Sequence, residues 1–477
     1  MPLTQDPGTP RDATDRPDPA TPADTSATLA TTLATTPVTP ATSVTTSVTT
    51  KAALPAQAPV GTPADVPAHA PADAPAKLIF GLVAAQLGVC IAVFTPIVVT
   101  LALRVAQIVP EAERGAALGK VLSVGALLAL VGNPLFGALS DRTTSRFGRR
   151  RPWLVGGMVV AAAGLTVVGL GSSVTTLLIG WAIAQLGCNA ALCMVTACIP
   201  DLIPDHQRGR VSGMVGMMLS VSMVAGSFLA QLFTDNMALA FIVPAVVGVL
   251  GVCVLAAVMP DRPARAESVA PYGWREFLHS FWVNPRKNPD YSWNFASRFL
   301  VFIGIACVTS YQVYFLMDRL GVAEGDVASK MFTTTLVTVG GVVAGSLAGG
   351  WLSDATGRRK PFVLASAFVI GVGLLLIATA GTFGMFLLAV AVFGFGEGLY
   401  LAVDVALAAA VLPDPETAAK DMGVLNIANA LPQSLVPMLA PFVLAIGGGG
   451  NYGALFLAGG IAAAVGAALV QLIRSVR

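Results

Sequence analysis

The chain has 477 residues, of which 55% are hydrophobic and only 11% are charged, and its mean hydropathy is +0.75. A typical soluble domain carries about 25% charged residues, so this chain has too little polar surface for an ordinary soluble enzyme. The first 76 residues hold seven Asp and three Lys or Arg, a net charge of −4, and because the whole chain carries +2, the rest carries +6. This excess falls between apolar runs, where it sets orientation in a membrane and does not indicate nucleic-acid binding.

Residues 1–76 form a polar tail rich in Pro, Thr and Ala. Low hydrophobicity and frequent prolines predict that this tail is disordered. Met1 is not followed by the apolar run of a secretory signal peptide. We therefore expect a cytoplasmic tail, to which the sequence assigns no function.

Twelve apolar segments follow, each long enough to cross about 30 Å of hydrocarbon as a helix. Their apolar runs are continuous, whereas barrel strands alternate apolar and polar residues over about 10 positions. The sequence therefore predicts an all-α membrane protein with twelve transmembrane helices, six in residues 77–259 and six in residues 292–477, joined by a cytoplasmic central loop at 260–291. The predicted spans are residues 77–104, 115–140, 153–172, 174–199, 211–234, 237–259, 292–317, 327–353, 361–380, 383–411, 422–444 and 453–474.

Lys and Arg cluster in alternate loops, after the second, fourth, sixth and eighth segments. Threading twelve spans places these loops, together with Arg474 and Arg477, on one side of the membrane, and the opposite loops are short and poor in basic residues. The positive-inside rule identifies the basic side as cytoplasmic. We therefore expect a multi-pass protein of the inner or plasma membrane with both termini in the cytoplasm.

The chain also repeats itself. GALSDRTTSRFGRRRP, at the end of the second segment, is matched by GGWLSDATGRRKP at the end of the eighth, with Asp141 and Asp354 213 residues apart. Pro200-Asp201 and Pro413-Asp414, which end the fourth and tenth segments, have the same offset. Two pseudo-symmetric six-helix bundles with the same orientation explain this repeat most simply.

In both copies an acid ends one helix and a cluster of Arg opens the next. Coulomb attraction between such groups amounts to about a few kcal/mol at an effective dielectric constant near 20, which suits a latch that forms and breaks. Ordinary positive-inside loops are the alternative, but they explain neither the repeated Leu-Ser-Asp nor the glycines before it. The candidate gating residues are Asp141, Arg142, Arg149, Arg150, Asp354, Arg358 and Arg359.

These loops resemble the signature of the major facilitator superfamily. The form D-R-T-x-S-R-x-G-R-R-R-P looks most like its glycoside and disaccharide–cation symporter branch, which includes sucrose transporters. PDLIPDHQRGRVSG, SYQVYFLMDRLG and LYLAVDVALAAAVLPD match further parts, so that the resemblance covers about residues 77–474. It implies two bundles around a central cavity lined mainly by the first, fourth, seventh and tenth helices, and transport by alternating access.

Few charged residues fall inside the predicted spans. Glu397 and Asp404 are seven residues apart in the tenth span, so their carboxylates share one helix face about 10 Å apart, and Arg298 in the seventh span lies at a depth similar to that of Asp404. An ionisable group at membrane depth costs at least ~2.5–3.5 kcal/mol and is a functional candidate. We hypothesise that Arg298 pairs with Asp404 while Glu397 binds and releases a proton. Exchanged roles for the two acids, or a static ion pair without a coupling role, are the alternatives.

Uncharged polar side chains in the expected cavity helices are candidates for binding sugar hydroxyls, with interhelical hydrogen bonds as the alternative. They are Gln86, Gln185, Asn189, Asn294, Tyr311 and Gln312. Gly341, Gly345 and Gly349, spaced four apart in the eighth span, predict close helix packing. The six cysteines have no zinc-ligand spacing, and we expect no metal, cofactor or ATP site.

The favoured function is proton-coupled uptake of a sugar, such as a di- or oligosaccharide, by a monomeric secondary transporter. Its expected partners are the small-molecule substrate, the proton and the lipid bilayer. Export of a small metabolite or drug by proton antiport is the alternative. A transport-inactive receptor is a third reading, and a membrane-embedded enzyme is disfavoured because the sequence shows no convergent nucleophile and base.

Overall fold

The structure is a computed structural model in which residues 73–261, 286–412, 418–447 and 450–474 are described. Most of the expected tail (1–72), most of the expected central loop (262–285) and Pro413-Asp414 lie outside the described residues, and so does the side chain of Asp354. Regular structure in the described ranges is entirely helical.

Twelve helices in those ranges are long and apolar enough to cross a membrane, which confirms the predicted all-α fold class. The first and seventh each contain a five-residue π-helical segment, at Pro96–Thr100 and Phe315–Arg319. The helices are α1 Ala76–Ile108, α2 Glu111–Asp141, α3 Arg151–Leu170, α4 Val174–Leu202, α5 Asp205–Leu232, α6 Met237–Val258, α7 Pro289–Arg319, α8 Glu324–Thr356, α9 Lys360–Thr379, α10 Phe383–Ala410, α11 Ala418–Leu444 and α12 Tyr452–Val470.

Several helices begin earlier than hydropathy predicted. Helix α2 begins at Glu111 rather than at residue 115, and α5 begins at Asp205 rather than at residue 211. Hydropathy marks only the part of a helix that lies in hydrocarbon, whereas the helix continues into the polar flank. Acidic side chains in the first turn, such as Glu111 and Asp205, stabilise that extension because they face the positive end of the helix dipole.

The halves α1–α6 and α7–α12 are built alike. Helix α1 packs on α6 and α3 on α4, just as α7 packs on α12 and α9 on α10. Ser173 and Thr382 cap the equivalent helices α4 and α10, and Asn236 and Asn451 cap α6 and α12. In all four caps the side-chain oxygen accepts the backbone N–H three residues further on, which satisfies one of the free donors of a helix start.

Glycines bring α8 and α10 into backbone contact. A Cβ on Gly345 would collide with the Phe395 carbonyl oxygen, and a Cβ on Gly398 would collide with the Val342 carbonyl oxygen. The Ser346 hydroxyl uses the same proximity to donate to the Gly398 carbonyl across 3.0 Å. The predicted role of the Gly341–Gly345–Gly349 series in close packing is therefore confirmed.

The helices carry large apolar side chains on their outer surfaces. Leu347, Phe368 and Phe442 are each more than 70% exposed. In water, contiguous exposure of this kind is unfavourable and marks a surface that something apolar covers. The outer surface therefore suits a lipid environment, in agreement with the twelve spans.

The bundle has two distinct ends. The basic end holds the Arg clusters at the C-termini of α2 and α8, and the opposite end holds the α1–α2 and α7–α8 turns. The two halves contact each other at the opposite end, where α1 and α2 meet α7 and α11, and α5 meets α8. The Phe228 and Phe332 rings, with centroids 5.5 Å apart, belong to this contact.

Candidate transport site

A buried ion pair joins α7 to α10. Arg298 Nη2 lies 3.1 Å from Asp404 Oδ2, and the two side chains are only 9% and 2% exposed. The Tyr400 hydroxyl, one turn earlier on α10, donates to Asp404 Oδ1 across 3.0 Å. The carboxylate thus has a cation and a hydrogen-bond donor, which is what a buried charge requires.

Helix α11 contributes two residues to this cluster that sequence reasoning missed. Arg298 Nε donates to Asn429 Oδ1 across 2.5 Å, and Asn429 Nδ2 donates to Asn426 Oδ1 across 3.2 Å. Two asparagines three residues apart in an apolar span were a usable signal. The family resemblance implies a cavity lined mainly by the first, fourth, seventh and tenth helices, so it does not point to α11.

Glu397 occupies the middle of α10. It lies seven residues before Asp404 on an uninterrupted helix, so the two acids share a face and are about 10 Å apart along the axis. Its side chain is half-buried. Among the described residues the Glu397 carboxylate makes no hydrogen bond and no ion pair, in contrast to that of Asp404.

The N-terminal half holds a cluster of uncharged polar groups. Asn189 Nδ2 donates to Gln185 Oε1 and to the Gln185 carbonyl, across 3.2 and 2.8 Å. Gln86 Nε2 donates to Cys90 Sγ across 3.2 Å, whereas the buried Gln86 Oε1 has no partner in the described structure. All three amide side chains are nine-tenths or more buried. They lie on α1 and α4, as the sequence predicted.

The three remaining candidates lie on α7 and are buried. Asn294 and Tyr311 are at most 1% exposed, and Gln312 is 8% exposed. The Tyr311 hydroxyl contacts the carbonyls of Gly115 on α2 and Pro437 on α11, each across 3.2 Å. In this conformation Tyr311 therefore joins the two halves at the opposite end and does not line an open cavity. A ligand role for it stays a prediction about another conformation.

A charged network occupies the basic end of the N-terminal half. Arg150 Nη2 lies 2.8 Å from Asp141 Oδ1 and 3.0 Å from Asp201 Oδ2, and Arg149 Nη2 lies 2.7 Å from Asp201 Oδ2. These contacts tie the end of α2 and the following loop to the end of α4. The network joins helix ends within one half, and its role as a latch that breaks when these ends separate stays a prediction.

Asp261 completes this end and was not singled out from the sequence. Its Oδ2 accepts the backbone N–H groups of Arg150 and Arg151, each across 2.8 Å, at the start of α3. A carboxylate at a helix N-terminus satisfies free donors and complements the dipole. The end of α6 is thereby fixed to the start of α3.

The other gating candidates are less defined. Arg142 and Arg359 each make a polar or electrostatic interaction, and Arg358 is exposed. The side chain of Asp354 lies outside the described residues. Lys360 donates to the Ile473 carbonyl, just as Arg151 donates to the Met259 carbonyl in the first half.

The opposite end contains a cavity of about 900 Å³. Glu111, Asp318, Arg319 and Tyr452 provide its polar lining, and the Tyr452 hydroxyl donates to the Asp318 carboxylate. None of the predicted binding residues lines this cavity. It lies on the side where the two halves are in contact.

Comparison with known proteins identifies a family pattern across most of the chain. The family model described as Major Facilitator Superfamily matches residues 114–341 and 295–477. Multidrug resistance protein 3 of Bacillus subtilis (strain 168) is 34% identical over 107 residues, which are 22% of this chain and 20% of that protein. An uncharacterized MFS-type transporter of Mycobacterium tuberculosis (strain CDC 1551 / Oshkosh) is 25% identical over 351 residues, 63% of this chain and 48% of that protein. The chain thus spans half or less of the length of these relatives.

Among solved structures, the xylose transporter XylE from E. coli, in a partially occluded inward-open conformation, has a similar fold. The TM-score is 0.60 over 82% of this chain and 96% of XylE, at 16% sequence identity. A sequence identity of 16% supports a shared fold and no similarity of function.

Proposed function

The chain belongs to the Major Facilitator Superfamily, and from that premise we propose that it is a proton-coupled symporter that takes up a sugar such as a di- or oligosaccharide. The observation that carries the proposal is the contrast between two acids on one face of α10. Asp404 has a cation and a hydroxyl as partners, whereas Glu397 has neither among the described residues. A carboxylate that serves transport must gain and lose a proton, and a fixed ion pair opposes that exchange.

The surroundings support a neutral, hydroxyl-rich substrate. The amides of Gln86, Gln185 and Asn189 in one half and of Asn426 and Asn429 in the other offer both donors and acceptors. Such groups can both donate and accept the hydrogen bonds that sugar hydroxyls form. The D-R-T-x-S-R-x-G-R-R-R-P loop adds the resemblance to the glycoside–cation branch, and the fold is shared with a xylose transporter.

Orientation and location belong to the same proposal. The basic end, with Arg149, Arg150, Arg358 and Arg359, faces the cytoplasm of a cell bounded by the inner or plasma membrane. The halves meet at the opposite end, so this conformation is closed toward the outside. The transporter works as a monomer, since each half supplies its own cluster to one central path.

Proton-coupled export of a small metabolite or drug is the second candidate. One specific observation favours it, namely the 34% identity to a multidrug resistance protein over 107 residues. An exporter and a symporter place the same demand on Glu397, because both require an acid that titrates during the cycle. The direction of proton movement distinguishes them.

Proteoliposomes with a pH-sensitive dye inside test the proposal. Sucrose, maltose, lactose and xylose are added outside in turn. We expect at least one of them to acidify the lumen as it enters together with protons, and Glu397→Gln to abolish this acidification while sugar exchange without a gradient persists. Luminal alkalinisation on addition of a substrate indicates antiport instead.

Asp326→Asn is the matched control, since Asp326 is an exposed acid in the first turn of α8. It should leave proton movement unchanged. Proton-driven sugar accumulation that survives Glu397→Gln would contradict the assignment of Glu397 as the proton carrier. A protein that moves none of the sugars in either direction would contradict the substrate class.

A further inference from the structure

Asn429 contacts the buried ion pair through Arg298 and is more exposed than either member of the pair. Its side chain is half-buried, and that of its neighbour Asn426 is exposed, whereas Asp404 is almost fully enclosed. The amide of Asn429 has a defined orientation, because its Nδ2 donates a hydrogen bond to Asn426 Oδ1. Its oxygen is therefore directed at Arg298 Nε.

Arg298 has few other contacts. Within the described structure its guanidinium makes two, with Asn429 through Nε and with Asp404 through Nη2, and its buried Nη1 has no hydrogen-bond partner. A planar guanidinium with two fixed contacts has one orientation. With only one of them it can turn about its long side chain and satisfy its donors elsewhere, because a buried donor without a partner is unfavourable.

The state of Asp404 depends on that orientation. A carboxylate that is 2% exposed stays ionised only while a cation is close, because burial without a partner penalises the charge strongly. The Tyr400 hydroxyl is a single neutral donor and does not replace a cation. Loss of Arg298 from its position therefore favours the neutral, protonated form of Asp404.

No other described group can take the place of Arg298. The titratable or charged side chains that act on Asp404 are Arg298 on α7 and Tyr400 on α10, and Tyr291 on α7 lies near Arg298 and Asp421. Arg298 is the one cation among them. The Tyr291 hydroxyl donates a hydrogen bond to the Asp421 backbone carbonyl across 2.7 Å.

We propose that Asn429 is a positioning residue that holds Arg298 on Asp404, so that Asp404 stays ionised throughout the cycle and Glu397 alone exchanges the proton. This inference rests on the proposed function for the role of Glu397. The effect of Asn429 on the protonation of Asp404 can be tested independently of transport, because it concerns which carboxyl group titrates. Helix α11 thereby takes part in proton coupling although it is not one of the four expected cavity helices.

Infrared difference spectra of the purified full chain, acid minus alkaline, test the proposal without any substrate. A protonated buried carboxyl group gives its own carbonyl band. We expect the wild type to show this band, Glu397→Gln to lose it, and Glu397→Gln with Asn429→Leu to regain it at an area of one carboxyl group. Adding Asp404→Asn to the double variant should remove the band again.

Gln433→Leu in the Glu397→Gln background is the control, because it replaces a half-buried amide on the same helix by an apolar side chain and leaves Asn426, Asn429 and their contacts in place. It should show no band. Asn429→Gln in the same Glu397→Gln background keeps an amide acceptor for Arg298, so it should also show no carbonyl band. Asn429→Ala removes the same acceptor and supplies the measurement if the Leu variant does not fold.

Two results would overturn the inference. One is a double variant that shows no band, and the other is a band in Glu397→Gln alone that Asp404→Asn removes, since Asp404 would then titrate with Asn429 present. A wild type without any band counts instead against Glu397 as the proton carrier. In that case the Asn429 variants still report on Asp404.

Discussion

Two tyrosines on α7 hold the halves together at the opposite end, and replacing each by Phe should have different consequences. The Tyr314 hydroxyl donates to the Ala102 carbonyl on α1 across 3.1 Å. The Tyr311 hydroxyl lies 3.2 Å from the Pro437 carbonyl on α11 and equally far from a carbonyl on α2. Phe removes only the hydroxyl, so the apolar packing of each ring is kept.

The acceptors differ in a way that sets the magnitudes. In a helix the Ala102 carbonyl accepts the N–H of Ala106, so losing Tyr314 costs a net hydrogen bond of about 0.5–1.5 kcal/mol. The Pro437 carbonyl would accept the N–H of residue 441, but Pro441 has none. Without Tyr311 that buried carbonyl has no donor while the halves are closed, which costs about 1–3 kcal/mol. Water satisfies it when they open.

We therefore expect Tyr314→Phe to shift the closed-to-open equilibrium at this end by about 2- to 12-fold and Tyr311→Phe by about 5- to 150-fold. Spin labels at Asp235→Cys and Glu324→Cys, which are exposed at this end on different halves, report the distance in a Cys253→Ser background. The long-distance population should grow in the order wild type, Tyr314→Phe, Tyr311→Phe. Unchanged populations, or a larger shift for Tyr314→Phe, would refute the reasoning.

Three further predictions concern stability, measured as thermal unfolding in detergent. Gly345→Ala should destabilise the protein by about 1–3 kcal/mol because its Cβ meets the Phe395 backbone, whereas Gly340→Ala on the same helix, with open space around it, should not lower the midpoint. Arg150→Ala should cost about 1–3 kcal/mol, less than a fully buried pair, because its partner Asp141 is 56% exposed; an unchanged midpoint would count against the network as a stabilising element. Asp261→Ala should cost about 1 kcal/mol through the lost cap of α3, and stability equal to the wild type would show that water replaces the cap.

The fold could be predicted because its signals are local. Each span is a continuous apolar run of the required length, and the duplicated Leu-Ser-Asp loops at Asp141 and Asp354 indicate two equivalent halves. Helix ends were less accurate, as at Glu111 and Asp205, because hydropathy does not register a helix that extends beyond the hydrocarbon. The glycine series around Gly345 was also readable, since small residues four apart have one main use in a membrane.

The site was only partly predictable, because its partners are distant in sequence. The Arg298–Asp404 pair follows from the scarcity of charge inside the spans, which leaves each group few alternatives. Asn429 makes its contact 131 residues from Arg298, and although the spacing of Asn426 and Asn429 marks a polar face of α11, it does not identify the helix that this face meets. Tyr311 resembled a cavity residue, and its contact with the Gly115 carbonyl of the other half depends on helix packing that the sequence does not show.

Contacts between helices of one half cost more free energy to break than contacts between the two halves. Inside a half, helices meet backbone to backbone, as at Gly345 on Phe395 in α8–α10 and at Gly157 on the Gly187 carbonyl in α3–α4, and such contacts separate only by exposing helix faces over their length. Between the halves, backbone contacts of this kind are fewer, as at Gly119 on the Pro437 carbonyl in α2–α11. The Tyr311 and Tyr314 hydroxyls and the Phe228–Phe332 ring pair each contribute about 0.5–3 kcal/mol there. Side-chain contacts of that size form and break at thermal energies, whereas the many glycine-lined interfaces inside each half do not. The halves are therefore expected to move as units, with Glu397 and the Arg298–Asp404 pair carried together on the C-terminal one.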